Sequence, residues 1–121
     1  MKRLFFFFSV VFCASCTLNV KQLEGRWRAV AFYEEGQSLP AALDSVALVL
    51  EPSAHRYTFR SMGYYRESGP LRVEDKHLFL TDSTVQPAQG RTLRVLFLSD
   101  DTLKLLMSAD GKEQVLFLKK G

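Results

Sequence analysis

Leu93-Arg94-Val95-Leu96-Phe97-Leu98 holds one charge in six residues. A half-buried strand alternates apolar and polar side chains, whereas this stretch is apolar on both faces. Its neighbours share that character. Val46 to Leu50 is strongly apolar, and Leu103 to Met107 and Val115 to Leu118 follow after short turns. Asp110-Gly111, between the last two, is the strongest hairpin signal in the chain, because Gly accepts the positive φ of a tight turn. An open sheet of such strands would leave an apolar face and two unpaired edges in water. Closure into a barrel removes both edges.

Upstream the same grammar continues. Gly25 to Tyr33 begins with alternating charged and apolar residues, and Arg56 to Arg60 alternates throughout. Tyr64 to Glu67, Leu71 to Val73 and His77 to Thr81 are further short strands, with Gly69-Pro70 separating the first two. Turn residues punctuate them at Glu34-Glu35-Gly36-Gln37, Glu51-Pro52-Ser53, Ser61-Met62-Gly63, Glu74-Asp75-Lys76 and Asp100-Asp101. Asp82 to Gly90 reads as the longest polar loop, and Leu39 to Asp44 as the one short helical turn. About eight closely spaced strands predict an antiparallel up-and-down meander, all-β, closed into a barrel. A barrel of that size has an interior that side chains fill, or that holds one small ligand. A two-sheet sandwich of the same strands is the structural alternative.

The N-terminus has a different logic. Met1-Lys2-Arg3 is basic, Leu4 to Phe12 is apolar except for Ser9, and Cys13-Ala14-Ser15-Cys16 is a cluster of small residues. Basic, apolar, small is the order of a signal peptide, and the apolar run is about half of what a spanning helix needs. Ala14-Ser15-Cys16 resembles the end of a bacterial lipobox, with Cys13 where an aliphatic residue is usual. The resemblance implies cleavage before Cys16, a diacylglyceryl group on its thiol and an acyl group on its new amine. Residues 1–15 are then a lipoprotein signal peptide, 16–22 a lipid-anchored tether, and 23–120 the folded domain. The alternative is an ordinary secretory signal, with Cys16 incidental or paired to Cys13.

The 121 residues suffice for one domain, and 47% hydrophobic content with ten Phe suffices for a core. The formal charge is +3, but Lys2 and Arg3 belong to the leader; without them 14 basic residues face 13 acidic ones. A near-neutral domain makes no electrostatic case for nucleic acid. Cys13 leaves with the leader and Cys16 is blocked, so a processed chain has no free thiol and no disulfide.

Leu23-Glu24-Gly25-Arg26-Trp27 resembles the Leu-x-Gly-x-Trp opening of lipocalin-like barrels. In those proteins the Gly lets the first strand bend and the Trp packs across one end. Gly25 lacks the Cβ that would resist such a bend, and Trp27 lies on the same face two residues on. The overall likeness, over about Leu23 to Lys120, is to small lipocalin-like lipoproteins of bacterial envelopes. It departs in three places. Thr81-Asp82-Ser83 lacks the aromatic of a Thr-Asp-Tyr motif, the chain is shorter, and Lys119 and Lys120 stand where the larger proteins set an Arg over the Trp. Small envelope inhibitors of metalloproteases and of lysozyme share the opening and the barrel.

Catalytic chemistry is not legible. His55 and His77 have no metal-ligand spacing, no Ser lies in a nucleophile elbow, and the acidic pairs all sit at turns. No enzyme, metal or cofactor is expected. Tyr57, Phe59, Tyr64 and Tyr65 with Arg56, Arg60 and Arg66 read as a half-buried hairpin before a nucleic-acid face. The expected function is binding, on an outer membrane with the domain on the periplasmic side. Either the barrel holds a small apolar or amphipathic ligand lined by Trp27, Tyr57, Phe59, Tyr65, Phe79 and Phe97, or it is filled and binds a protein, as an inhibitor of an envelope or host hydrolase would.

Overall fold

The computed structural model describes residues 18–38, 43, 46–61, 65–109 and 111–121. The expected signal peptide, Cys16 and most of the expected helical turn at Leu39 to Asp44 lie outside the described residues. The strands are β1 (Gly25–Glu34), β2 (Gln37–Ser38), β3 (Ala47–Glu51), β4 (Arg56–Ser61), β5 (Tyr65–Glu74), β6 (His77–Asp82), β7 (Gln89–Leu98), β8 (Thr102–Ala109) and β9 (Lys112–Lys120). All pair antiparallel, and all but β2 run in sequence order around one sheet; β1 also pairs β9, from Trp27↔Lys120 to Glu34↔Gln114. The meander is therefore a closed eight-stranded barrel with β2 as a short hairpin arm on β1. Closure, not a sandwich, resolves the two-faced apolar strands, since every long strand has a partner on both sides.

Alternation decides what enters the barrel. Trp27 and Ala29 of β1, Leu48 and Leu50 of β3, Leu78 and Leu80 of β6, and Leu103 and Leu105 of β8 are buried, while their alternate neighbours, Ala47 excepted, are partly or fully exposed. Bulges reset this phase twice. The β1–β9 register shifts between Ala29 and Ala31, and the β7–β8 register between Val95 and Phe97. Each bulge bends its strand and puts an apolar residue, Val30 or Leu96, on the outside.

Gly69-Pro70 does not break the chain, as the sequence suggested. β5 runs through it as one strand. A Cβ at Gly69 would lie 1.9 Å from the Thr81 carbonyl oxygen, so glycine here permits a close crossing of β5 over the end of β6. The long polar loop is shorter than expected, residues 83–88, because β6 extends to Asp82 and β7 starts at Gln89.

The expected tether is structured in its described part. Val20–Leu23 forms a single helical turn, α1, whose first turn is capped by the Asn19 side chain accepting from the Lys21 N–H at 3.1 Å. α1 closes one end of the barrel. Leu23 is buried there, and Gln22 Nε2 donates to Asp100 Oδ1 at 3.0 Å on the β7–β8 connection. The loops between β5 and β6 and between β7 and β8 lie at this closed end, and residues 83–88 lie at the opposite, open end.

Candidate functional site

The Leu-x-Gly-x-Trp segment is structural. Gly25 has φ +136, which only glycine adopts without strain. Trp27 is fully buried at the closed end and donates from Nε1 to the Leu23 carbonyl at 2.9 Å. The Lys120 ammonium sits over its ring, 4.5 Å from the centroid, and donates to the carbonyls of Glu24 (2.7 Å) and Gln22 (3.3 Å). Trp27 is thus a plug at the barrel floor, away from the cavity beside Glu67.

A second polar constellation lies higher inside the barrel. Glu67 points inward from β5 and is 2% exposed. Its carboxylate accepts four hydrogen bonds: Tyr57 Oη (2.7 Å) and Arg91 Nε (2.8 Å) at Oε2, Tyr65 Oη (2.9 Å) and Arg91 Nη2 (2.9 Å) at Oε1. Two parallel N–H bonds from one guanidinium make the strong bidentate form of the ion pair. Burial pushes the Glu67 carboxyl up, but the donors Arg91, Tyr57 and Tyr65 outweigh it and hold the group below the usual carboxylate range. Burial, then the bond to Glu67, drives the Tyr57 phenol far above its ordinary value. The bond to Glu67 raises Tyr65 as well. Among the described residues no buried side-chain polar atom lacks a partner.

Beside this network is a cavity of about 140 Å³, walled by Leu48, Phe59, Leu80, Leu93, Leu105, Met107 and Leu116 with Glu67 and Arg91. The Arg91 side chain is 48% exposed, so it connects the cavity wall to solvent. It also lies on a groove of about 580 Å³ between β7 and β8, shared with Leu93, Met107 and Arg94 among others. The groove exists because the β7–β8 ladder ends at Arg94↔Leu106, leaving the upper halves of both strands apart. Cavity and groove meet at Arg91, Leu93 and Met107.

The six expected lining residues separate. Phe59 lines the cavity. Tyr57 and Tyr65 serve it through Glu67, with Tyr65 at the rim and edge-on to Phe59 at 6.2 Å. Trp27 is on the floor. Phe79 and Phe97 are on the outer wall. Phe79 has opposite parity to Leu78 and Leu80, and Arg72 lies 4.2 Å over its ring. Phe97 is turned out by the bulge beside it. Sequence reasoning missed Glu67 and Arg91. The signal was parity: Glu67 is in phase with Leu71 and Val73, and Arg91 with Leu93 and Val95.

The Glu67 carboxylate is saturated with donors, so it is no base. Arg91 carries five N–H donors and spends two on Glu67, leaving three for an acceptor in the cavity mouth. His55 is a strand-end residue in the left-handed region, and His77 stacks on Phe79 outside. No group of three or more His, Cys, Asp or Glu converges among the described residues.

No protein-family model matches the chain, and none of the curated proteins does. Its fold is similar to the crystal structure of a lipocalin-like protein from Bacteroides uniformis, with a TM-score of 0.59 and 15% sequence identity, over 83% of this chain and 99% of that one. At that identity the likeness concerns fold alone. The closed antiparallel barrel, its first strand bent at Gly25 and its floor sealed by Trp27, is a lipocalin-like fold.

Proposed function

We propose that this chain is a lipid-anchored envelope binding protein whose barrel takes the apolar end of a small amphipathic ligand. The carrying observation is the cavity of about 140 Å³ with hydrocarbon walls and the half-exposed Arg91 at its edge. That volume is roughly what admits one aromatic ring or a short alkyl chain. The apolar part would lie against Leu80, Leu93, Leu105 and Leu116. An acceptor on the ligand, a carbonyl or carboxylate, would meet the unspent N–H groups of Arg91. Anchoring rests on Ala14-Ser15-Cys16 after the apolar leader, and on several acyl chains holding where one is marginal. An outer membrane with the domain on the periplasmic side is the address this reading favours, since Thr17-Leu18-Asn19-Val20-Lys21 has no acidic run.

One observation favours the other reading, a filled barrel that binds a protein: the cavity falls below the ~300 Å³ at which drug-sized ligand pockets begin. Native mass spectrometry of the mature protein from its own membrane fraction separates the two. A co-purifying small molecule supports the ligand, and a co-purifying protein with an empty barrel overturns it. For the anchor, Cys16→Ser should release the protein or leave it uncleaved; unchanged membrane retention refutes acylation.

A further inference from the structure

The outer wall near the closed end carries an apolar patch that the barrel does not use. Phe97 is 50% and Leu96 43% exposed, side by side, because the bulge after Val95 turns both outward while Val95 and Leu98 pack inside. These two line a groove of about 290 Å³ together with Leu18, Asn19 and Gln22 from the start of the described chain. Val20, on the same helical turn, is 41% exposed. Single apolar residues on a surface are ordinary, whereas a contiguous group marks a contact.

The length of chain before this patch says what it meets. Leu18 is two residues from Cys16, and two residues span at most about 7 Å. If Cys16 carries the acyl chains, the closed end of the barrel cannot stand off the bilayer. Leu18 itself packs against the core, and the exposed apolar side chains beside it are Leu96 and Phe97, which share its groove, with Val20 exposed on the next turn of chain. The open end lies away from them. We infer that this patch docks into the headgroup–acyl boundary of the bilayer that holds the anchor, fixing the barrel closed end down. The inference rests on the lipid-anchor reading. The charges nearby are mixed, with Lys21 and Lys76 against Asp75, Asp100 and Asp101, so the contact is apolar before it is electrostatic. Aromatic and aliphatic side chains at the headgroup level are what interfacial binding uses.

Orientation follows. Arg91 is six residues up β7 from Phe97, about 20 Å along the strand and less once the strand's tilt is counted. The cavity mouth therefore opens to the aqueous compartment, and the barrel draws its ligand from there and not from its own bilayer.

The test uses the full mature protein in phosphatidylcholine vesicles with brominated acyl chains. A processed chain has no other free thiol, so Phe97→Cys, Leu96→Cys and Val85→Cys each accept one environment-sensitive fluorophore. The mass of the mature chain is measured first. Labels at 96 and 97 should be quenched by bromine several-fold more than the label at 85, in the open-end loop. Equal quenching at all three overturns the docking. So does a label at 97 shielded from aqueous iodide yet untouched by bromine, which means that a protein surface, such as a second copy, covers the patch. An acylated Cys16 with labels in water defeats the docking alone, and an unmodified Cys16 defeats the anchor reading and the docking together.

Discussion

Lys120 Nζ lies 4.5 Å above the Trp27 ring while donating to the carbonyls of Gln22 and Glu24. One side chain thus joins the last strand, the plug of the floor and the turn that closes the barrel. A Cβ at Gly25 would stand 3.1 Å from the same nitrogen, a tight contact that adds to the strain a side chain would meet at φ +136. Lys120→Ala removes the cation–π contact and leaves two carbonyls short of a donor, a loss of about 1–3 kcal/mol. Lys120→Arg should recover most of it. Urea unfolding of the three proteins checks this, and an unchanged midpoint for the Ala variant would show that the contact contributes nothing.

Glu67 and Arg91 are unequal partners, one buried and the other half in water. Arg91→Ala strands a buried carboxylate with two tyrosine donors, and at neutral pH this should cost about 3 kcal/mol. The cost should shrink on acidification. In the wild type Glu67 titrates below its unfolded value, so its contribution is present above the ordinary carboxylate pKa and is lost as pH falls through the depressed one. In the variant the chief opposing donor is gone, burial prevails, and protonation helps the folded state. The two stability curves should converge below about pH 4. Parallel curves from pH 7 to pH 3 would contradict the assignment.

The alkaline limb belongs chiefly to Tyr57, with Tyr65 contributing in the same direction. The raised folded pKa of Tyr57 means that its stabilisation is complete below the unfolded tyrosine value, about 10, and is lost progressively above it as the unfolded state sheds the proton first. Tyr57→Phe removes that proton together with the bond to Glu67. The variant should be weaker by about 1–2 kcal/mol at pH 7, with a shallower decline above pH 10. Thermal unfolding between pH 7 and pH 11 gives both slopes.

What the sequence made legible is what one strand shows by itself. Trp27 two residues after Gly25, the hairpin at 110–111 and the two-faced strand at Leu93 to Leu98 suffice for an antiparallel barrel. The site was hidden by phase. Reading β5 as two strands split at Gly69-Pro70 cuts Glu67 off from Leu71 and Val73, whose parity it shares. Arg91 falls between the polar loop Asp82 to Gly90 and the strand Leu93 to Leu98, although it continues the phase of Leu93 and Val95. Phe79 and Phe97 erred in the other direction. Both sit among apolar neighbours, so alternation alone does not say which face is inside, and for Phe97 the answer depends on a bulge that tertiary closure imposes. The separation of β7 from β8 above Arg94 is a property of the closed barrel and has no local signal.

Met107 tests whether the cavity is what the barrel is for. It packs against the core from β8 and lies on both the cavity and the β7–β8 groove, so an added ring there fills the space through which the two meet. Met107→Phe should change stability by about 1 kcal/mol or less, because it adds volume into a void and not into packed core. Any small molecule that co-purifies with the wild type should be lost, with membrane attachment unchanged. Leu93→Ala goes the opposite way: it enlarges the cavity, costs about 2–5 kcal/mol, and should admit a longer homologue of the same ligand. If the co-purified species survives Met107→Phe at wild-type occupancy, the ligand is held elsewhere and the cavity is a packing defect. If nothing co-purifies with either variant or with the wild type, while a protein does, the barrel is scaffold and recognition belongs to its outer surface.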